Sequence, residues 1–325
     1  MVSEHVNWRK VGLYLVCAFG ISWTSALIAY ASGIPLVSVP GILVLALTFM
    51  PAPAVATWIV QKKIYGGTLS AYGLRLRGTR LRGLLASIAV VWLLALGTLG
   101  LVSVLGNTLG WSAAGRVSFD PQQVAHQIET LSPPGNTDTE SAPLPDIPPV
   151  LLFTLLLVGG TLSGVLVNAA FAFGEELGWR GLLQTELEPL GHVRSTLAIG
   201  VIWGIWHAPV ILQGHNYPGH PLAGVLMMIG FTTAASFPLA WSRAATGTIV
   251  GPSVLHGVLN AVAALPLVFV AGANPLIGSP AGLLGTAVLV VIGCGLSATG
   301  PRAGHPDRTA HRVIAQTTGL DPERA

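Results

Sequence analysis

Apolar runs separated by short polar breaks make up nearly the whole chain. Residues 11–31, 36–60 and 84–105 are the first three runs, and 150–187 is a fourth, interrupted only by a small charged insert. Four more follow at 196–212, 221–241, 249–270 and 281–297. About 20 apolar residues in a helix cross the ~30 Å of hydrocarbon in a bilayer. The pattern therefore predicts an all-α polytopic membrane protein with about eight transmembrane helices. Pro40, Pro51 and Pro53 fall inside the second run; prolines are tolerated in membrane helices, but these should bend this one. Ala29-Tyr30-Ala31 resembles a signal-peptidase site. The apolar run before it exceeds the 7–15 residues of a signal core, so a retained helix is expected.

The breaks give the topology. Lys62, Lys63, Arg75, Arg77, Arg80 and Arg82 crowd one short loop without an acidic residue. Short loops rich in Lys and Arg stay on the cytoplasmic side. Counting from there, Arg194, Arg243 and the arginines after residue 300 also fall inside, and both termini are cytoplasmic. The stretch 106–149 carries Asp120, Glu129, Asp138, Glu140 and Asp146 against Arg116 alone, and falls outside. Its Pro-, Ser- and Thr-rich part, 132–143, is a flexible loop by composition. The expected organisation is an N-terminal transmembrane region of three helices at 1–105, an extracytoplasmic flexible loop at 106–149, a second transmembrane domain at 150–298 and a polar cytoplasmic tail at 299–325.

Composition narrows the class. Apolar residues are 52% of the 325 and charged residues only 9%, roughly a third of the ~25% of soluble proteins. A net charge of +3 gives no nucleic-acid footprint. Cys17 and Cys294, both in apolar runs near opposite ends, cannot frame a disulfide scaffold or a Cys-based zinc site.

Against this background three polar points stand out: Glu175-Glu176-Leu-Gly-Trp-Arg180, His207 in Trp203-Gly-Ile-Trp-His207, and His256 with Asn260. Charges and imidazoles in membrane spans are costly and mark function by default. The bland readings are a solvated helix end for the Glu pair, a packing residue for each His, and helix–helix glue for Asn260. Glu176 and Arg180 are i,i+4 and share a helix face, so the guanidinium neutralises the second carboxylate and leaves Glu175 free. His256 and Asn260 have the same spacing, and Trp203 at i−4 walls the pocket of His207. His207 lies roughly 16 Å into its helix at 1.5 Å per residue, and His256 at similar depth. The run at 150–187 exceeds what a bilayer needs, and Gly159-Gly160 offers a break that would let Glu175 enter the inner half.

A carboxylate beside an imidazole can activate water as a general base. Glu175, His207 and His256 are alternatively a ligand set for zinc, if a metal is used. Asn260 and a His can donate to the oxyanion of a tetrahedral intermediate. Both routes lead to hydrolysis of an amide bond. The chain has no His-Glu-x-x-His or Gly-x-Ser-x-Gly motif, and Ser253, at i−3 from His256, has no supporting context.

The order Glu175-Glu176-x-x-x-Arg180, aromatic-x-x-x-His207, His256-x-x-x-Asn260 resembles the motif set of the CPBP family: type II CAAX prenyl proteases and bacteriocin-processing or abortive-infection proteins. The resemblance covers about 150–270; Trp203 stands where the family usually has Phe. It implies an intramembrane endopeptidase of the cell membrane whose site opens to the cytoplasm and whose substrate is a membrane-associated peptide or protein. It further implies Glu175 as the water-activating carboxylate and Glu176 with Arg180 as its support. His207 would assist the water or bind metal, and His256 and Asn260 would bind metal or stabilise the oxyanion. The contrasting expectation is a membrane protein without chemistry, a transporter or an immunity or scaffold protein; a transporter should show repeated halves or paired broken helices, and the sequence has neither.

Overall fold

The computed structural model describes residues 5–75, 78–131, 147–263 and 265–299. Arg77, the 132–143 stretch and the tail beyond residue 299 lie outside the described residues. Helical segments underlie all eight apolar runs. They are α1 (Trp8–Ala31), α2 (Val39–Ile64), α3 (Leu81–Thr108), an extramembrane α4 (Pro121–Leu131), α5 (Pro149–Glu186), α6 (His192–Trp206), α7 (Ala208–Leu212), α8 (Pro221–Thr246), α9 (Val250–Val262) and α10 (Leu283–Thr299). Among the described residues six are long and apolar enough to cross a membrane: α1, α2, α3, α5, α8 and the segment Val250–Val268 that α9 begins. The fold is thus an all-α polytopic membrane protein. The other two runs give shorter helices: α10 has 17 residues, and α6 and α7 are divided by a turn at His207.

Local chemistry sets the ends. The side chain of Asn7 accepts from the Lys10 amide at 3.0 Å and starts α1, as N-caps do. Ser38 does the same for α2, with Pro40 in its first turn. Gly247, at φ 78°, closes α8 in the left-handed conformation that glycine adopts without strain. Gly159 and Gly160 do not break α5, which runs on through both. In an apolar medium the helix is the only local arrangement that pairs every backbone amide, so a glycine pair alone does not open it. Within it lie two π-helical turns, at Gly164–Asn168 and Leu177–Leu183.

Outside the bundle, Arg116–Val117 pairs antiparallel with Val270–Ala271. Asp120 then caps α4, accepting from the amides of Gln122 and Gln123 at 3.0 Å. The described part of 106–149 thus carries a short strand and a helix, and the 132–143 stretch that composition reads as flexible lies outside the described residues. Within the bundle α9 is the innermost helix: Gly251 to Leu259 are all buried. It lies against α3 and α5, α8 against α6 and α10, and α1 and α2 pack together beside the second half of α5.

Candidate active site

Small residues bring the helices close enough for their polar groups to meet. A Cβ on Gly178 would collide with the Tyr14 hydroxyl and the Pro53 ring. Glycine there lets α5 press against α1 and α2. A Cβ on Gly257, next to His256, would run into the backbone of Gly164 and Ala169; this glycine brings α9 onto α5. Gly204 does the same between α6 and α8, where a Cβ would meet Ile229 and Thr232. Small residues at such crossings are the usual means of close approach in a membrane. The π-helical turn starts directly after Glu176, and such single turns concentrate at functional sites.

Glu176 is wholly buried and Arg180 nearly so, at 0% and 1% exposure. The pair suggested by their spacing forms, with Arg180 Nη1 donating to Glu176 Oε1 at 3.1 Å. Arg180 Nη2 donates to Ser236 Oγ on α8 at 2.9 Å, and its guanidinium lies 4.6 Å over the Trp203 ring. Arg243, also on α8, donates to the Arg180 carbonyl and, at 2.9 Å, to Thr185 Oγ1. From α9, His256 Nδ1 meets the same Glu176 Oε1 at 2.8 Å. A carboxylate oxygen accepts, so Nδ1 carries the proton. Glu176 Oε2 is buried without a partner among the described residues.

Glu175 has different neighbours. Trp203 Nε1 on α6 donates to its Oε2 at 2.8 Å. Its other oxygen makes no hydrogen bond among the described residues. The same indole lies 5.2 Å from the His256 ring and 5.7 Å from that of His207, centroid to centroid. His207 Nδ1 donates 2.8 Å back to the Trp203 carbonyl, which leaves Nε2 unshared. Because α6 ends at this residue, His207 is only half-buried, and it is the one imidazole of the cluster that is not enclosed.

Glu175, Glu176, Arg180, His207 and His256 are therefore brought together by α5, α6 and α9, with Trp203 at the centre. Asn260 is not: it lies one turn beyond His256, is exposed, and makes no hydrogen bond to the cluster among the described residues. Nor do the carboxylate and the two imidazoles fit an ion. Among the described residues no three His, Cys, Asp or Glu side chains form a group that could hold a metal. For the expected set, Glu175, His207 and His256, the reason is the Trp203 indole, which lies against all three. Sequence reasoning missed Ser236, Arg243 and Tyr14. Ser236 and Arg243, seven residues apart, share a face of α8; no local pattern announces that it grips Arg180 from both sides.

All these residues but Tyr14 lie in the segment that a comparison with known families recognises. Residues 150–262 match the family model described as type II CAAX prenyl endopeptidase Rce1-like. No curated protein matches the chain. The matched segment begins with α5 and ends with α9, the helices that hold the Glu pair and His256, and its motifs are those of the resemblance. Over residues 150–262, about a third of the chain, the protein is thus similar to the type II CAAX prenyl endopeptidases.

Proposed function

We propose that the protein hydrolyses a peptide bond of a membrane-associated peptide or protein, using water activated by Glu175 with His207. One observation carries the reading: two carboxylates, a guanidinium and two imidazoles from three helices meet around one indole, in a chain with 9% charged residues. Burying such a set is expensive unless function retains it. Glu175 takes a proton from water as the oxygen attacks the carbonyl carbon, then returns it to the leaving amine. His207 Nε2 orients that water. The Arg180–Glu176–His256 chain fixes α9 against α5 and sets two donors on the second carboxylate beside the first. General-base catalysis by a positioned carboxylate contributes about 10²–10⁴ in rate.

The family description supports a CAAX-type tail as the first substrate to test. The loop charges support eight passes, both termini and the mouth of the site on the cytoplasmic side, and residence in the cell membrane. The test is cleavage of an internally quenched peptide with a farnesylated Cys three residues from its carboxy terminus. Glu175→Gln, His207→Ala and His256→Ala should each abolish cleavage while the protein still inserts. Wild-type turnover in any of them removes the peptidase reading and leaves a membrane protein without this chemistry.

A further inference from the structure

Six buried side-chain polar atoms have no hydrogen-bond partner among the described residues, and three of them surround one turn of α5: Glu176 Oε2, Trp179 Nε1 and Tyr14 Oη. A buried polar group without a partner calls for a ligand or a role. Two of the three are donors. Tyr14 is fully buried, 0% exposed, and sits edge-on to Trp179 with 5.8 Å between ring centroids. Its hydroxyl reaches past Gly178, whose missing Cβ makes the room. Gly178 follows Glu175 by three residues on α5, so the phenol meets the helix within one turn of the carboxylate pair. The Trp179 indole N–H is buried and has no hydrogen-bond partner among the described residues. The side chain expected to donate to an oxyanion, Asn260, is exposed and apart.

We infer that Tyr14, contributed by the first helix from outside the matched segment, is a catalytic residue: its O–H, with the Trp179 N–H beside it, donates to the oxyanion of the tetrahedral intermediate. The inference rests on the peptidase reading of the site. In the step concerned, water oxygen bonds to the carbonyl carbon, its proton moves to Glu175, and the carbonyl π pair moves onto oxygen. That O⁻ accepts from Tyr14. When it re-forms the carbonyl, the C–N bond breaks and the amine leaves with the proton from Glu175. No co-reactant beyond water is needed. Preorganised donors of this kind are unspent before the reaction and engaged during it.

The experiment is steady-state cleavage of the farnesylated reporter by the full chain in liposomes, for wild type, Tyr14→Phe, Trp179→Phe and Glu175→Gln. Removing one oxyanion donor costs about 10²–10³ in kcat. Tyr14→Phe should therefore lose roughly 100-fold in kcat with KM within twofold. Its melting temperature should be unchanged or higher, because the lost hydroxyl bonds nothing in the resting protein. A peptide aldehyde, which binds as its tetrahedral hydrate, should lose affinity for Tyr14→Phe while the unreacted peptide does not. Wild-type kcat in Tyr14→Phe, or a loss traced entirely to lower thermal stability, overturns the inference. Glu175→Gln separates the layers: if it is inactive while Tyr14→Phe is normal, only the Tyr14 role fails; if it is active, the peptidase reading fails with it.

Discussion

Two carboxylates ten residues apart on α5 solve the same electrostatic problem in opposite ways. Glu186, at the end of the helix, receives Lys10 Nζ at 2.7 Å and the Tyr72 hydroxyl at 3.0 Å. That hydroxyl also donates to Gln61 at 2.7 Å, and the ammonium lies over the rings of Tyr65 and Tyr72. The side chains of this pair keep 11% and 15% exposure. Burial and the adjacent Glu186 charge raise the Tyr72 phenol above its ordinary value, so it stays a donor. The cluster ties α1, α2 and the following loop to α5, and each partner is used. Glu176, inside the bundle, has its two partners on one oxygen and none on the other. The first arrangement fastens; the second holds back unspent capacity where a reaction could use it.

The largest expected difference is in stability. Arg180→Ala strands a carboxylate in the core, and losing one partner of a buried pair costs about 3–5 kcal/mol. Thermal unfolding in detergent should show it, with activity weakened in proportion to the folded fraction. A cost no larger than that of Lys10→Ala would erase the contrast. Gly178→Val comes next: overpacking costs about 1–3 kcal/mol, and here it pushes α1 away from α5, so the melting point falls and cleavage falls further. Lys10→Ala removes an ion pair at the border and should cost about 1–2 kcal/mol, measured by the same unfolding. Near zero sits metal removal: cleavage of the reporter should survive a strong chelator, since the carboxylate and imidazoles form no ligand group. Activity lost to chelator and restored by zinc would mean that Trp203 moves aside to make one.

Much of this was legible in the chain. The apolar runs gave the helices because membrane spans pair their backbone internally and leave a plain length signal. Glu176 with Arg180 was legible because both lie on one turn. The Trp203–Glu175 bond and the Ser236 and Arg243 contacts were not, since they join residues 28 to 63 apart on different helices, and packing, not local pattern, sets those meetings. Asn260 shares the face of His256 but lies one turn, about 6 Å, further along α9, where it is exposed; how far along that face the cluster reaches is set by the neighbouring helices, not by the spacing. Tyr14 was hidden in an ordinary apolar run. Only the gap at Gly178 shows where its hydroxyl goes.

The unbroken length of α5 has a consequence for how the protein meets its lipid. Its 38 residues span about 57 Å at 1.5 Å per residue, and Glu175, 26 residues from Pro149, lies about 39 Å along the axis. A leaflet pair with a ~30 Å oily interior cannot contain that length upright, so the helix leans or protrudes. Leaning by about 40° carries Glu175 to the far margin of the oil, at the headgroups, where water is plentiful. Turnover should then depend on acyl-chain length: thicker membranes draw the carboxylate into oil and slow the reaction, and thinner ones release it.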